Sequence, residues 1–252
     1  MAALKSHGDA PGYLTRNQIV RLLFNPHSAT WVDEKLKQLY QNVYLERLYQ
    51  PVGPGSGSPP AIYGLDREGR DFLAESKRLN KTEVFWRKTA DSARELPFLA
   101  YTLVIKDFRI TVSLACQQQG LALSWLDERA LKTNPYKAEV VDGDGQTLVI
   151  VPNGYFRLRS ATTQACFFLE LDNGGQKKKA FRRKVRGHLL FALGPYRERY
   201  QSLTVLLVSN QGEARLREMF AFTREELAAS GEEAGWELFL LANLPSWPRR
   251  IS

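Results

Sequence analysis

The chain has 252 residues, 44% hydrophobic and 25% charged, with a formal net charge of +8. That balance fits one large or two modest globular domains and argues against a disordered chain. No apolar run approaches the roughly 18 residues that span a bilayer, and Met1 to Pro11 lack the apolar stretch of a secretory signal. Cys116 and Cys166 form no CxxC pair, so a reducing cytoplasm fits better than a disulfide framework. His7, His27 and His188 show no metal-ligand spacing.

Residues 1–80 read as one small unit. Thr15-x-x-Gln18 is a capping box, followed by apolar residues at Ile19, Val20, Leu22, Leu23 and Phe24, which predicts a helix over about 16–24. Pro26 ends it. Thr30 is expected to cap a second helix over about 31–40, with Val32, Leu36 and Leu39 on its buried face. Gln41-Asn42 is a left-handed stop, and Val43–Tyr49 reads as a strand. The Pro/Gly/Ser-rich stretch 51–60 is a loop tip, and Ala61–Leu65 the returning strand. Asp66 caps a helix carrying Phe72 and Leu73. Helix, turn, helix and long-tipped hairpin is the plan of a winged helix-turn-helix, whose second helix enters the major groove. Trp31, Lys35, Lys37 and Gln38 would then face DNA, and Arg47 and the tip would reach phosphates. The first helix of most winged helices is missing; the segment 81–96, a connector, either supplies it or pairs with a second subunit.

The second unit, 97–252, begins with a mostly apolar helix to Gly120. A strand at 121–126 and turns at Asn134-Pro135 and Asp142–Gly145 follow. Thr147–Val151 and Tyr155–Arg159 flank Pro152-Asn153-Gly154 and predict a hairpin. Further strands are expected at 166–172, 203–208 and 236–241, and helices at about 176–193 and 212–220. This order predicts a mixed-sheet α/β domain behind the winged helix.

Two features of this unit could carry chemistry. Glu170 and Asp172 are two apart on a strand, so both carboxylates share one face. Acids buried this way need a cation or basic partners. Between Lys177 and Arg199 there are nine Lys/Arg and one acid, so this segment carries the whole net charge of the chain. Lys177, Lys178, Lys179, Arg182, Arg183 and Arg186 lie at or beside its exposed sides, opposite an apolar stripe of Phe181, Val185, Leu189 and Ala192. Such a patch suits double-stranded DNA, because it releases several condensed counterions at once.

Pro152-Asn153-Gly154, Glu170-Leu171-Asp172 and the basic helix together resemble the PD-(D/E)xK nuclease core. Over roughly residues 13–245 the chain resembles the plasmid replication-relaxation family still more closely, which pairs a winged helix with such a core. The resemblance implies a role in plasmid or mobile-element biology at the nucleoid or plasmid, with replication or mobilisation proteins as further partners; pairing through 81–96 would add a homodimer. In an active enzyme of this kind Glu170, Asp172, Glu128 and Asn153 would hold Mg²⁺ or Mn²⁺, and Lys184 would serve the attacking water. The chain departs from the pattern twice. Asn153 replaces the expected acid, and Asp172 stands where the lysine of the triplet is expected, leaving Lys184 to supply it. Asn153-Gly154 is also a favoured tight-turn pair, and Glu170 and Asp172 could instead answer bases of the neighbouring helix. Three functions follow: a DNA-binding factor with a degenerate nuclease-like domain, an active metal-dependent endonuclease, or a protein-interaction adaptor. There is no P-loop, no GxSxG element and no calcium loop.

Overall fold

The computed structural model describes residues 12–23, 29–49, 60–84, 96–133, 138–196 and 203–244. The 51–60 tip except Pro60, the turn around Pro26 and most of 81–96 lie outside the described residues. The chain divides into an N-terminal unit, Asp9–Ala115, and a C-terminal unit running from Cys116 to Ser252.

In the N-terminal unit β1 (Leu14–Thr15) leads into α1 (Arg16–Leu23) and α2 (Ala29–Gln41). The capping box forms: the Thr15 N–H donates to Gln18 Oε1 at 2.9 Å, and the Gln18 N–H donates to Thr15 Oγ1 at 3.2 Å. α2 begins at Ala29, so Thr30 sits within its first turn and is not its cap. Val32 and Leu36 are buried against Ile19, Val20 and Tyr63, whereas Leu39, expected inside, is 40% exposed. α2 stops at Val43, whose φ of 61° is an uncommon left-handed conformation for a β-branched residue. β2 (Leu45–Tyr49) and β3 (Ala61–Leu65) form an antiparallel hairpin, and β1 joins the far edge of β3 to give the order β1-β3-β2. α3 (Arg67–Lys77) is capped by the Asp66 carboxylate as expected, but buries Gly69 and Ala74 while Phe72 lies exposed.

The helix expected to open the second domain, α4 (Leu96–Gln119), belongs in its first part to the N-terminal unit. Leu99 and Leu103 pack with Tyr13, Leu48 and Ile62, and the Gln18 side-chain amide donates to the Leu103 carbonyl at 2.9 Å. Arg21 pairs with Asp107 at 3.1 Å. A helix from after the hairpin therefore covers Leu48 and Ile62 and meets α1 through Gln18 and Arg21. An amphipathic surface is completed by whichever helix supplies the apolar stripe, wherever it falls in the chain.

The C-terminal unit is a five-stranded mixed sheet in the order β10-β9-β8-β7-β4. β4 (Ala122–Asp127) is followed by the short α5 (Glu128–Leu131), then by β5 (Ala138–Val141) and β6 (Thr147–Ile150). β7 (Gly154–Arg159) runs antiparallel to β4 and to β8 (Gln164–Asp172). α6 (Lys178–Leu193) crosses to β9 (Thr204–Ser209), and α7 (Glu213–Ala229) with a 3₁₀ turn (Glu233–Leu238) leads to β10 (Phe239–Asn243); β8, β9 and β10 are parallel.

The hairpin expected between 147–151 and 155–159 does not form. β6 pairs instead with β5 across the Asp142–Gly145 turn, where the Asp142 carboxylate accepts the N–H groups of Asp144 and Gln146. β5 went unseen because Ala138-Glu-Val-Val141 is too short for a clear period. The helix expected over 212–220 runs nine residues further, to Ala229. Gly154 has no left-handed φ. A Cβ there would stand 2.6 Å from the Trp125 ring, so close approach, not a tight turn, demands glycine. The Trp125, Phe156 and Phe167 rings stack across the β4-β7-β8 register, with centroids 5.2 and 4.8 Å apart.

On the opposite face of β8, Phe181, Val185 and Leu189 of α6 form the core with Phe168, Val205, Leu207 and Met219. Each such side chain contributes roughly 1.5–3 kcal/mol by burial. Gly187 faces the β5–β6 hairpin, and a Cβ on it would stand 2.8 Å from Ile150 Cδ1.

Candidate carboxylate site and nucleic-acid surfaces

The period-two reading of β8 places Phe168, Glu170 and Asp172 on the face covered by α6 and α7. Both carboxylates are buried. Lys184 Nζ donates to Glu170 Oε2 at 2.7 Å, and His188 Nε2 lies 2.6 Å from Glu170 Oε1. Lys184 and His188 are one helical turn apart on α6, so one face delivers both. Burial pushes the Glu170 carboxyl up, but the Lys184 ammonium and His188 more than offset it, leaving it below the usual carboxylate range. An ionised carboxylate can only accept, so His188 Nε2 carries the proton. His188 Nδ1 is buried, with no partner among the described residues.

Asp172 is held from the other helix. Arg215 of α7 donates from Nε to Oδ1 at 3.0 Å and from Nη2 to Oδ2 at 2.8 Å, a bidentate pair, and the Gly174 N–H donates to Oδ1 at 2.7 Å. The Asp172 carboxylate foremost, and Glu218 after it, hold the Arg215 guanidinium above its ordinary range. Asn153 spends its side-chain carbonyl on the Leu171 N–H at 2.8 Å. Glu128 pairs with Lys132 of its own turn at 2.6 Å. Among the described residues no three His, Cys, Asp or Glu side chains converge on a metal-sized point. A hard divalent cation needs oxygens open to it. Here every oxygen of Glu170 and Asp172 already has a donor, so the arrangement does not fit such an ion.

The basic helix is partly neutralised by acids distant in sequence. Glu226 of α7, buried, accepts from Arg182 Nε at 2.7 Å and Arg186 Nε at 2.5 Å, while Lys178 pairs with Glu225 at 2.7 Å. Lys177, Lys179 and Arg183 are exposed and have no ion pair among the described residues. The sequence did not point to His188, Arg215, Glu225 or Glu226. Only the four-residue spacing of Lys184 and His188 on one helix face could have suggested the first.

In the N-terminal unit Trp31 is 49% exposed on α2. Lys35 Nζ stands 5.6 Å from its ring centroid and donates to Gln38 Oε1 at 3.1 Å, so Trp31, Lys35 and Gln38 share one outward face; Lys37 is exposed as well, further round the helix. Arg16 clamps Asp33 bidentately at 2.8 and 2.9 Å, which ties α1 to α2. Arg47, expected to reach phosphate, lies with its guanidinium 4.4 Å from the Tyr40 ring and 5.5 Å from the Tyr49 ring.

Fold and site define a two-unit α/β protein whose central strand carries two acids closed by bases from both flanking helices. The chain belongs to the Replication-relaxation family, whose model matches residues 9–206. Membership links it to replication or mobile-element function. The match ends inside β9, so Arg215, Glu225 and Glu226 lie beyond it. No curated protein and no solved structure matches the chain. Among the described residues no helix is long and apolar enough to cross a membrane.

Proposed function

We propose that the protein is a duplex-DNA-binding factor of plasmid or mobile-element replication. In this reading the N-terminal unit is a winged helix and the nuclease-like core is a non-catalytic platform. The observation that carries it is the outward face of α2. A half-exposed Trp31 with Lys35, Lys37 and Gln38 lies on a helix whose buried side needs only Val32 and Leu36. The order β1-β3-β2 around a helix pair supports the winged-helix assignment, since the second helix is then the one that enters the major groove. The lack of catalysis rests on the closed carboxylates: Arg215 would have to release Asp172, and Lys184 and His188 would have to release Glu170, before any ion could bind.

The test incubates full-length protein with supercoiled and linear duplex DNA in Mg²⁺, Mn²⁺ or EDTA, read on native and denaturing gels. A shifted, uncut band that weakens steeply with salt is the expected result. Absence of a shift at low salt would refute DNA binding. Metal-dependent nicking that disappears in Glu170→Gln would establish instead the second reading, an active endonuclease. The Glu170–Lys184 contact at 2.7 Å favours that reading, since it puts the helix lysine beside the strand acid.

A further inference from the structure

Between α6 and the turn joining β5 to β6 runs a groove of about 710 Å³, within the ~300–1,000 Å³ of small-ligand sites. Its two walls differ in chemistry. Lys179, Arg182, Arg183 and Arg186 line it from α6. Asp142, Asp144 and Gln146 line it from the turn. Glu226 also lines it, and accepts from the Nε of both Arg182 and Arg186. A guanidinium held through Nε is fixed in orientation while its outer edge keeps donors for a second acceptor. Lys179, one turn before Arg182, and Arg183, beside it, are exposed, with no ion pair among the described residues.

α6 also breaks a local rule. Its N-cap is Lys177, which makes no side-chain cap bond, and its first turn carries Lys178 and Lys179 and no acid. Positive charge at the positive end of a helix dipole is unfavourable, and an anion bound there reverses the sign. Local rules are broken where function requires it.

We infer that this groove takes a single DNA strand, with its phosphates on α6 and its base edges toward the β5–β6 turn. A duplex would turn phosphates toward both walls and meet Asp142 and Asp144 with like charge. A single strand has one row of phosphates and one row of base edges. The amino groups of cytosine and adenine donate to carboxylate and amide oxygens. The Asp142 carboxylate is already fixed by the N–H groups of Asp144 and Gln146, at 3.1 and 2.8 Å, so the turn holds its shape before a ligand arrives. Glu226 is a positioning residue: it acts through the two arginines. The groove lies wholly in the C-terminal unit, so it stands independently of the winged-helix reading.

The experiment measures anisotropy of a short labelled oligodeoxynucleotide, single-stranded or annealed to its complement, against full-length protein over a range of salt. Lys179→Ala/Arg183→Ala removes two exposed cations that have no ion pair among the described residues, and should leave the melting profile unchanged. Expected is a loss of about tenfold in single-strand affinity and a fall of about 1.4 in the log–log salt slope, two contacts at about 0.7 each, with duplex binding unchanged. Glu226→Gln separates positioning from bulk charge. Removing an acid raises net positive charge, so bulk electrostatics predicts tighter binding, whereas a lost clamp predicts weaker. Weaker single-strand binding by a variant with an unchanged melting profile supports the inference. It is overturned by undetectable single-strand binding in the wild type, by equal loss on both substrates, or by tighter binding of Glu226→Gln. Loss of duplex binding alone in the Lys179→Ala/Arg183→Ala variant would overturn it too, whereas a wild type that binds single strand but no duplex would sink the winged-helix reading and leave this one standing.

Discussion

Asn153 brackets Glu170 against the neighbouring strand: its side-chain carbonyl accepts the Leu171 N–H at 2.8 Å and its own N–H donates to the Leu169 carbonyl at 2.8 Å. Asn153→Ala leaves the buried Leu171 donor unmet, a cost of about 1–3 kcal/mol. Asn153→Asp keeps an acceptor there and should lose less. Urea denaturation of the two variants checks the order; an Ala variant as stable as the wild type would show that the bond contributes nothing.

The Asp172–Arg215 pair tests the closed state of the site. Removing one partner of a buried pair costs about 3–5 kcal/mol, whereas replacing both by apolar groups costs far less. Asp172→Asn and Arg215→Met alone should each destabilise strongly, and Asp172→Leu/Arg215→Met should recover most of the loss. A double-mutant cycle by chemical denaturation measures this, and simple additivity would count against the pair as a coupled unit.

Stability should depend on pH through Glu170. Its folded pKa is depressed, so its contribution is present above the unfolded value of about 4.3 and is lost as pH falls through the lower folded value. Asp107 in the N-terminal unit has the opposite sign. Burial raises its carboxyl, so its penalty is relieved as pH falls through that raised value. Thermal midpoints of wild type and Glu170→Gln should therefore lie far apart near neutrality and converge below about pH 4.3. A gap that persists in acid would mean that Glu170 acts through packing alone.

On α2, Lys35→Ala and Lys37→Ala should each lower the duplex salt slope by about 0.9 with little change in stability. Arg47→Ala should behave differently, because its guanidinium lies against Tyr40 and Tyr49. It should lower the melting temperature and leave the slope nearly unchanged. Duplex titrations paired with thermal melts separate the two effects.

Periodicity and capping carried much of the fold. Thr15/Gln18, Asp66 and the alternation around Glu170 are local signals, and each gave the element it implied. What escaped was set by partners far away in sequence. The 147–159 segment has hairpin punctuation at Pro152–Gly154, yet β6 found β5 and β7 found β4 and β8, because pairing is decided by which sheet buries the apolar face. The basic run looked unopposed until Glu225 and Glu226, some forty residues on, came to rest against it. The ion pairs closing Glu170 and Asp172 were open in the sequence as one of two alternatives. Nothing local marked Arg215 as the base that reaches Asp172.

Gly187 sets a mechanical tolerance. A Cβ on Gly187 would stand 2.8 Å from Ile150 Cδ1, so a side chain at this position must displace that methyl group and, where it cannot turn aside, the β5–β6 ribbon behind it. Gly187→Ala would thus retune the spacing between the lysine/arginine wall and the aspartate turn without altering a single charge. One methyl group inside the protein would serve as a ruler for whatever spans the gap outside it.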